Sequence, residues 1–140
     1  ESMRLEKGYL HWKADILTEF TPFETGLDRF VNLSKEFVGK DALIAQQEKG
    51  LRRRLVSLAL ETTEAPAAPG ASVMLDGKVV GTVTSGAWGY RVGQNLAYAF
   101  VLPDLAAAGT RLEIDLLGKM IPVQVIETGP YDPETRLPRG

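Results

Sequence analysis

Arg4–Ile16 reads Arg-Leu-Glu-Lys-Gly-Tyr-Leu-His-Trp-Lys-Ala-Asp-Ile and gathers most of the chain's chemistry-bearing side chains in one short stretch. One of its carboxylates, Glu6, lies near Tyr9, His11, Trp12 and the cations Arg4 and Lys7. Gly8, two residues on, lets the backbone approach closely, so the stretch suits a pocket that grips a ligand bearing paired N–H donors. A flat heterocycle with an amino group beside a ring N–H, such as a pterin or a guanine, presents that pair. The plainer alternative is that Glu6 caps locally or pairs with Arg4 or Lys7 while the aromatics are core, and composition alone favours it.

Other candidates carry less. Arg52-Arg53-Arg54 has the charge to meet a phosphate, a polycarboxylate or RNA, but a basic run opening a strand is more often a solvated edge that blocks edge-to-edge pairing. Val80-Gly81-Thr82-Val83-Thr84-Ser85-Gly86, followed by Trp88-Gly89-Tyr90, lacks the lysine and the strand–loop–helix setting of a phosphate cradle; it reads as a glycine-bent barrel strand ending in a tight turn. His11 has no serine or cysteine companion arranged as a triad. With no cysteine and one histidine there is no thiolate nucleophile and no Cys- or His-rich metal site. No catalytic residue is assigned.

The whole is 140 residues with net charge −2 from 16 basic and 18 acidic side chains, one domain's worth of chain with no general attraction to nucleic acid or an acidic membrane face. No apolar run approaches the ~18–20 residues that a bilayer needs, and the charged start is no signal peptide. Neither nucleic acid nor membrane is an expected partner, and the expected compartment is the cytoplasm. A chain that opens on Glu1 inside an apparent motif and ends Leu137-Pro138-Arg139-Gly140 is expected to be a piece of something longer.

The elements that must position Glu6 follow from periodicity. Gly8–Ile16 has no helical period and is expected to be extended or irregular. Thr21 as N-cap, Pro22 in the first turn and Glu24 completing a capping box predict a short helix Phe23–Phe30, with Phe23, Leu27, Phe30 and Val31 on one face. After a polar loop, Lys40–Lys49 is expected to form a second helix closed by Gly50, its inner stripe Ala42, Leu43 and Gln46. From Arg52 the period changes to two. Strands are expected at Arg54–Leu60, Ala71–Leu75, Lys78–Ser85, Asn95–Leu102, Thr110–Leu116 and Met120–Ile126, with a hairpin at Asp76-Gly77 and a turn at Gly118-Lys119. The class is α+β: a two-helix N-terminal segment at residues 1–51, a small antiparallel β-barrel at 52–127 and a C-terminal tail at 128–140.

One ordered set of motifs runs through these elements. Arg4-Leu5-Glu6-Lys7-Gly8-Tyr9, His11-Trp12, Asp15-Ile16, Thr21-Pro22, Gly26-Leu27, Lys35-Glu36-Phe37-Val38-Gly39-Lys40-Asp41-Ala42-Leu43 and Val80–Gly86 follow one another in an order that resembles the C-terminal half of the glycine-cleavage T-protein, or aminomethyltransferase, family. The resemblance covers Arg4 to about Tyr131, and its wording is similar to the folate-binding end of sarcosine and dimethylglycine dehydrogenases. It implies tetrahydrofolate as cofactor, FAD in a preceding portion where the parent is a dehydrogenase, and folate together with the rest of the parent chain as partners. It implies that Glu6 binds the pterin, and that Lys35, before the Phe-x-Gly motif, and Arg136, in the tail, contact the folate. The family's catalytic aspartate lies in the N-terminal portion, so this piece alone is not expected to catalyse. Where relatives read Trp-Gly-x-Asp this chain has Trp12-Lys13-Ala14-Asp15, so the local turn is expected to differ. The alternative function is a non-catalytic β-barrel module binding a partner protein or single-stranded nucleic acid, with Trp88 and Tyr90 as stacking residues beside Arg52–Arg54.

Overall fold

Alternation of apolar and polar residues after Arg52 builds six strands, which the computed structural model places within a description of all residues 1–140. They are β1 (Arg54–Leu60), β2 (Ser72–Leu75), β3 (Lys78–Gly89), β4 (Gln94–Val101), β5 (Arg111–Leu116) and β6 (Lys119–Ile126). Every pairing is antiparallel, and the order β1-β4-β3-β2-β5-β6 closes on itself as a barrel. Asp76 and Gly77 both take positive φ, 50° and 76°, as a type I′ hairpin requires. The β5–β6 turn also needs two such residues and finds them at Leu117 and Gly118, so Lys119 opens β6 instead of sitting in the turn. Side chains such as Val56, Leu58, Val73, Val83, Ile114 and Val123 fill the lumen, which makes it a packed core and not a pore.

Strand β4 is apolar on both faces because both are covered. Ala97, Ala99 and Val101 point into the lumen, while Leu96, Tyr98 and Phe100 alternate with them and are equally buried beneath the N-terminal segment. Leu5 of α1 (Ser2–Lys7) packs with Ala87, Leu96 and Tyr98, and the Phe20 ring meets Phe100 at 4.1 Å between centroids. The first twenty residues are thereby laid across the outside of β3 and β4.

The helices differ from expectation in several places. The capping box forms, with Thr21 N–H donating to Glu24 Oε2 at 3.1 Å and Glu24 N–H to Thr21 Oγ1 at 3.3 Å, yet Phe23–Phe30 is not a helix. The chain makes turns and then a single 3₁₀ turn at Asp28–Phe30. The Glu24 carbonyl that would propagate the helix instead accepts the Leu55 N–H of β1 at 2.7 Å, and Gly26 turns left-handed at φ 74°. Phe23 is buried while Phe30 faces solvent. The helix unforeseen in the sequence is α1, six residues ending at a left-handed Gly8. An isolated helix shorter than about 12 residues is marginal in water, so α1 owes its existence to the burial of Leu5 and Glu6. Helix α2 (Lys40–Lys49) ends at Gly50 as expected but buries no residue, and Ala42 is exposed.

The basic run is also placed otherwise than as a free edge. The Arg53 guanidinium stacks 4.3 Å from the Phe20 ring centroid and lies 3.8 Å from Glu24. Arg54 reaches Asp28 at 3.6 Å. Closure of the barrel leaves β1 paired on both sides, and these two cations tie the N-terminal segment to it.

Candidate functional site

Glu6, on the last turn of α1, has its side chain among the most buried in the molecule, at 2 % exposure. A buried carboxylate must be paired or hydrogen-bonded. Its partners are neither Arg4 nor Lys7: Glu6 Oε1 accepts the backbone N–H of Arg91 at 2.5 Å and of Val92 at 3.3 Å, both in the β3–β4 turn. Oε2 accepts no hydrogen bond from the chain. Glu6 lines a cavity of about 370 Å³ with Arg4, Lys7, Tyr9, Arg91, Tyr131 and the tail residues Leu137 and Pro138, within the range of roughly 300–1,000 Å³ usual for small-molecule sites. Tyr9, His11 and Trp12 are exposed and not core. A carboxylate with one oxygen tied to backbone and the other open is suited to accept N–H donors from a ligand.

The neighbouring cations are committed elsewhere. Lys7 reaches the Asp132 carbonyl and, at 3.6 Å, its carboxylate, and Tyr131 N–H donates to the Glu6 carbonyl at 2.9 Å. The tail is thus laced to α1. Close approach of the two backbones depends on Gly8, where a Cβ would meet Thr128 Cγ2 at 2.9 Å and Gly129 Cα at 3.0 Å.

Arg4 belongs to a separate cluster, which sequence reasoning missed. Asp15, at 0 % exposure, accepts from Arg4 Nη1 at 2.5 Å, Thr84 Oγ1 at 2.5 Å, Ser85 Oγ at 2.6 Å and the His11 N–H at 2.9 Å. The β3 register shifts between Val83 and Ser85, and this bulge delivers the hydroxyls of two consecutive residues, Thr84 and Ser85, to one carboxylate. Burial by itself lowers the Arg4 pKa, and Glu1 and Asp15 more than offset it, so the guanidinium is held more firmly charged than usual. The only signal in the sequence was that Asp15 and Thr84-Ser85 stand in the ordered motifs; nothing in one sequence says that they touch.

Lys13 carries the departure at Trp12-Lys13-Ala14-Asp15. It sits at φ 73°, the left-handed conformation a glycine adopts freely, and its N–H reaches the Ile16 carbonyl at 2.8 Å. A tight turn forms here with the lysine in that conformation, at a backbone strain of about 1–2 kcal/mol. Lys13→Gly is therefore expected to raise stability by roughly 0.5–1 kcal/mol, less than the full strain because glycine loses more freedom on folding; thermal unfolding measures it.

Tyr98 is a further buried residue whose polar atom has no companion. Its hydroxyl has no hydrogen-bond partner, although the Arg4 guanidinium lies 5.6 Å from the ring centroid. Burial pushes its pKa above the ordinary value of 10.0. Ionisation is then easier in the unfolded chain, so Tyr98's contribution to stability is fully present below about pH 10 and is lost as pH rises toward its own raised value. Tyr98→Phe is expected to be about 1 kcal/mol more stable near neutrality, since it removes an unsatisfied buried group, and to flatten the alkaline fall in unfolding midpoint.

The other two expected ligand contacts lie apart from Glu6. Lys35 is exposed, with its N–H on the Asn32 carbonyl at 3.2 Å, and forms no ion pair within the chain. Arg136 opens the short C-terminal helix and is exposed, its guanidinium on Glu134 at 2.5 Å and its N–H on Asp132 Oδ1 at 2.8 Å. Neither lines the cavity that Glu6 enters.

Residues 53–132 match the family model of the glycine cleavage T-protein C-terminal barrel domain. The chain belongs to that family. Over 128 residues it is 40 % identical to rat (Rattus norvegicus) mitochondrial dimethylglycine dehydrogenase, covering 90 % of this chain and 15 % of the relative. It is 36 % identical over 128 residues to an aminomethyltransferase of Moorella thermoacetica, covering 91 % of this chain and 35 % of the relative. The crystal structure of the glycine cleavage system aminomethyltransferase T from Bartonella henselae superposes with a TM-score of 0.87 at 29 % identity, over 94 % of this chain and 37 % of that one. The chain thus spans between a seventh and two fifths of these T-protein relatives. No helix in it is long and apolar enough to cross a membrane.

Proposed function

We propose that this T-protein barrel and its N-terminal segment supply one wall of a tetrahydrofolate site in an enzyme of one-carbon transfer, either a sarcosine- or dimethylglycine-type dehydrogenase or a free-standing aminomethyltransferase. One observation carries the reading: a buried carboxylate, Glu6, held through Oε1 and without a partner on Oε2, in a cavity of about 370 Å³. Such a group accepts the pterin ring N–H and exocyclic amine as a charge-assisted pair. Bound tetrahydrofolate supplies the nitrogens that take up the one-carbon unit; the chain's part is to anchor and orient the ring.

Lys35 and Arg136 are proposed as contacts to the anionic part of the ligand, and the free ammonium of Lys35 suits that role. FAD is proposed only for the portion preceding this domain in a dehydrogenase parent. The division into residues 1–51, 52–127 and 128–140 belongs to the same proposal, as does a cytoplasmic setting; the mitochondrial label is that of the rat relative.

The test is made on the full-length protein. Binding of folinic acid together with a flavin absorbance that bleaches on adding sarcosine or dimethylglycine supports the dehydrogenase form and names the amine. Folinic acid binding by a colourless protein supports the aminomethyltransferase form. No folinic acid binding overturns the proposal.

A further inference from the structure

The six-residue helix that carries Glu6 is too short to fix a side chain by itself, so something outside it must set where the carboxylate points. We propose that the β3–β4 turn, residues 89–93, is the positioning element of Glu6, so that the barrel helps set ligand affinity through a residue it does not itself contain. This rests on the reading of Glu6 as the ligand's acceptor.

Three features of the turn support the assignment. Gly93 N–H closes it on the Gly89 carbonyl at 2.8 Å, and this leaves the N–H groups of Arg91 and Val92 converging on a single oxygen, Glu6 Oε1, at 2.5 and 3.3 Å. Two fixed donors on one oxygen define the plane of the carboxylate and leave Oε2 as its open acceptor. Gly89 makes the space: a Cβ there would stand 3.1 Å from Glu6 Cγ, 2.9 Å from Val92 Cγ2 and 3.0 Å from Leu96 Cδ1. Any side chain at residue 89 therefore crowds the stem of Glu6. The Arg91 guanidinium, for its part, donates to Tyr131 Oη at 3.0 Å and lies 5.1 Å from that ring's centroid. Tyr131 in turn holds the Glu6 carbonyl. Turn, tail and α1 thus meet at one residue, and the turn acts on the ligand only through Glu6.

Two measurements test this, one of which needs no ligand. In the 140-residue chain, Glu6→Ala should move the Arg91 amide resonance and speed its hydrogen exchange by about tenfold or more, the loss expected for a hydrogen bond to a charged group. An unmoved Arg91 amide overturns the assignment whatever the ligand does. In the full-length protein, Arg91→Pro deletes the N–H, and Arg91→Ala keeps it. The proline variant should bind folinic acid at least about tenfold more weakly than the alanine variant, and Gly89→Ala should weaken binding in the same direction should the proline variant fail to fold. Equal losses for proline and alanine overturn the backbone role. An unsubstituted protein that binds no folinic acid overturns the proposed function instead, and the amide measurement still decides the assignment of the turn.

Discussion

Asp15→Ala is expected to cost about 3–5 kcal/mol of folding stability, the loss typical of breaking one side of a buried ion pair. Against a total of roughly 5–15 kcal/mol for a domain of this kind, that is enough to leave a large fraction unfolded at modest temperature. The reason lies in what the substitution leaves behind. Asp15 is fully buried and accepts from Arg4, Thr84, Ser85 and the His11 N–H. Without it the Arg4 guanidinium keeps one carboxylate, Glu1 at the exposed rim, and two neutral acceptors, the Tyr9 carbonyl and the Ser85 hydroxyl. Three further donors, Thr84 Oγ1, Ser85 Oγ and the His11 N–H, lose their carboxylate. Because the residues on either side of the cluster come from α1 and β3, the loss should be concentrated where the N-terminal segment meets the barrel. Hydrogen exchange at Ser2–Lys7 should rise before exchange in β1 and β4 does.

A companion variant separates charge from packing. Replacing the pair together, Arg4→Met with Asp15→Leu, removes both charges and should cost less than Asp15→Ala alone, since no charge is left buried and unpaired. Urea unfolding of the three proteins measures this. An Asp15→Ala midpoint within about 1 kcal/mol of the parent would mean that the cluster does not fasten the segment to the barrel.

The same cluster shows where the sequence was legible and where it was not. Strands β1 and β5 and the Asp76-Gly77 hairpin could be read because period-two alternation and a dipeptide able to take two positive φ values are local properties, written within a few residues of where they act. Helix α2 with its Gly50 stop is legible for the same reason. The expected helix at Phe23–Phe30 failed on a distant event: the Leu55 N–H, about thirty residues on, takes the Glu24 carbonyl that the helix needed. Helix α1 is the converse, invisible to propensity because the barrel surface under Leu5 makes it stable. Glu6 could be singled out as a carboxylate close to Gly8 and a group of aromatic residues, but its holders, the amides of Arg91 and Val92, are backbone groups. No residue type announces them. The Lys13 turn shows the limit from the other side: a missing glycine was noticed, but not that the lysine in its place would take a left-handed conformation.

Glu6→Ala in the full-length protein should weaken folinic acid binding by roughly a hundredfold or more. Two charge-assisted hydrogen bonds, each worth about 1.5–3 kcal/mol, disappear together, and about 2.7 kcal/mol is already a hundredfold in Kd. The more telling variant is Glu6→Gln. It keeps an amide oxygen that can stay on the Arg91 N–H, so the protein should be destabilised less than by alanine. Toward the ligand, however, it presents an NH2 group where a pterin also presents donors. Donor then faces donor in a desolvated cavity, and affinity should fall about as far as with alanine. Stability and affinity are thereby separated: a glutamine variant near normal in thermal unfolding but as weak as alanine in folinic acid binding identifies Glu6 as a ligand acceptor and not merely a strut for the β3–β4 turn. Lys35→Ala and Arg136→Ala, both at exposed positions, should cost far less, about two- to fivefold, and that loss should shrink as salt is added. Unchanged affinity in both Glu6 variants would remove the pterin anchor from this chain. The resting partner of Glu6 Oε1, the Arg91 amide, would then be its whole function, and the carboxylate would be a piece of the fold that fastens α1 to the end of the barrel.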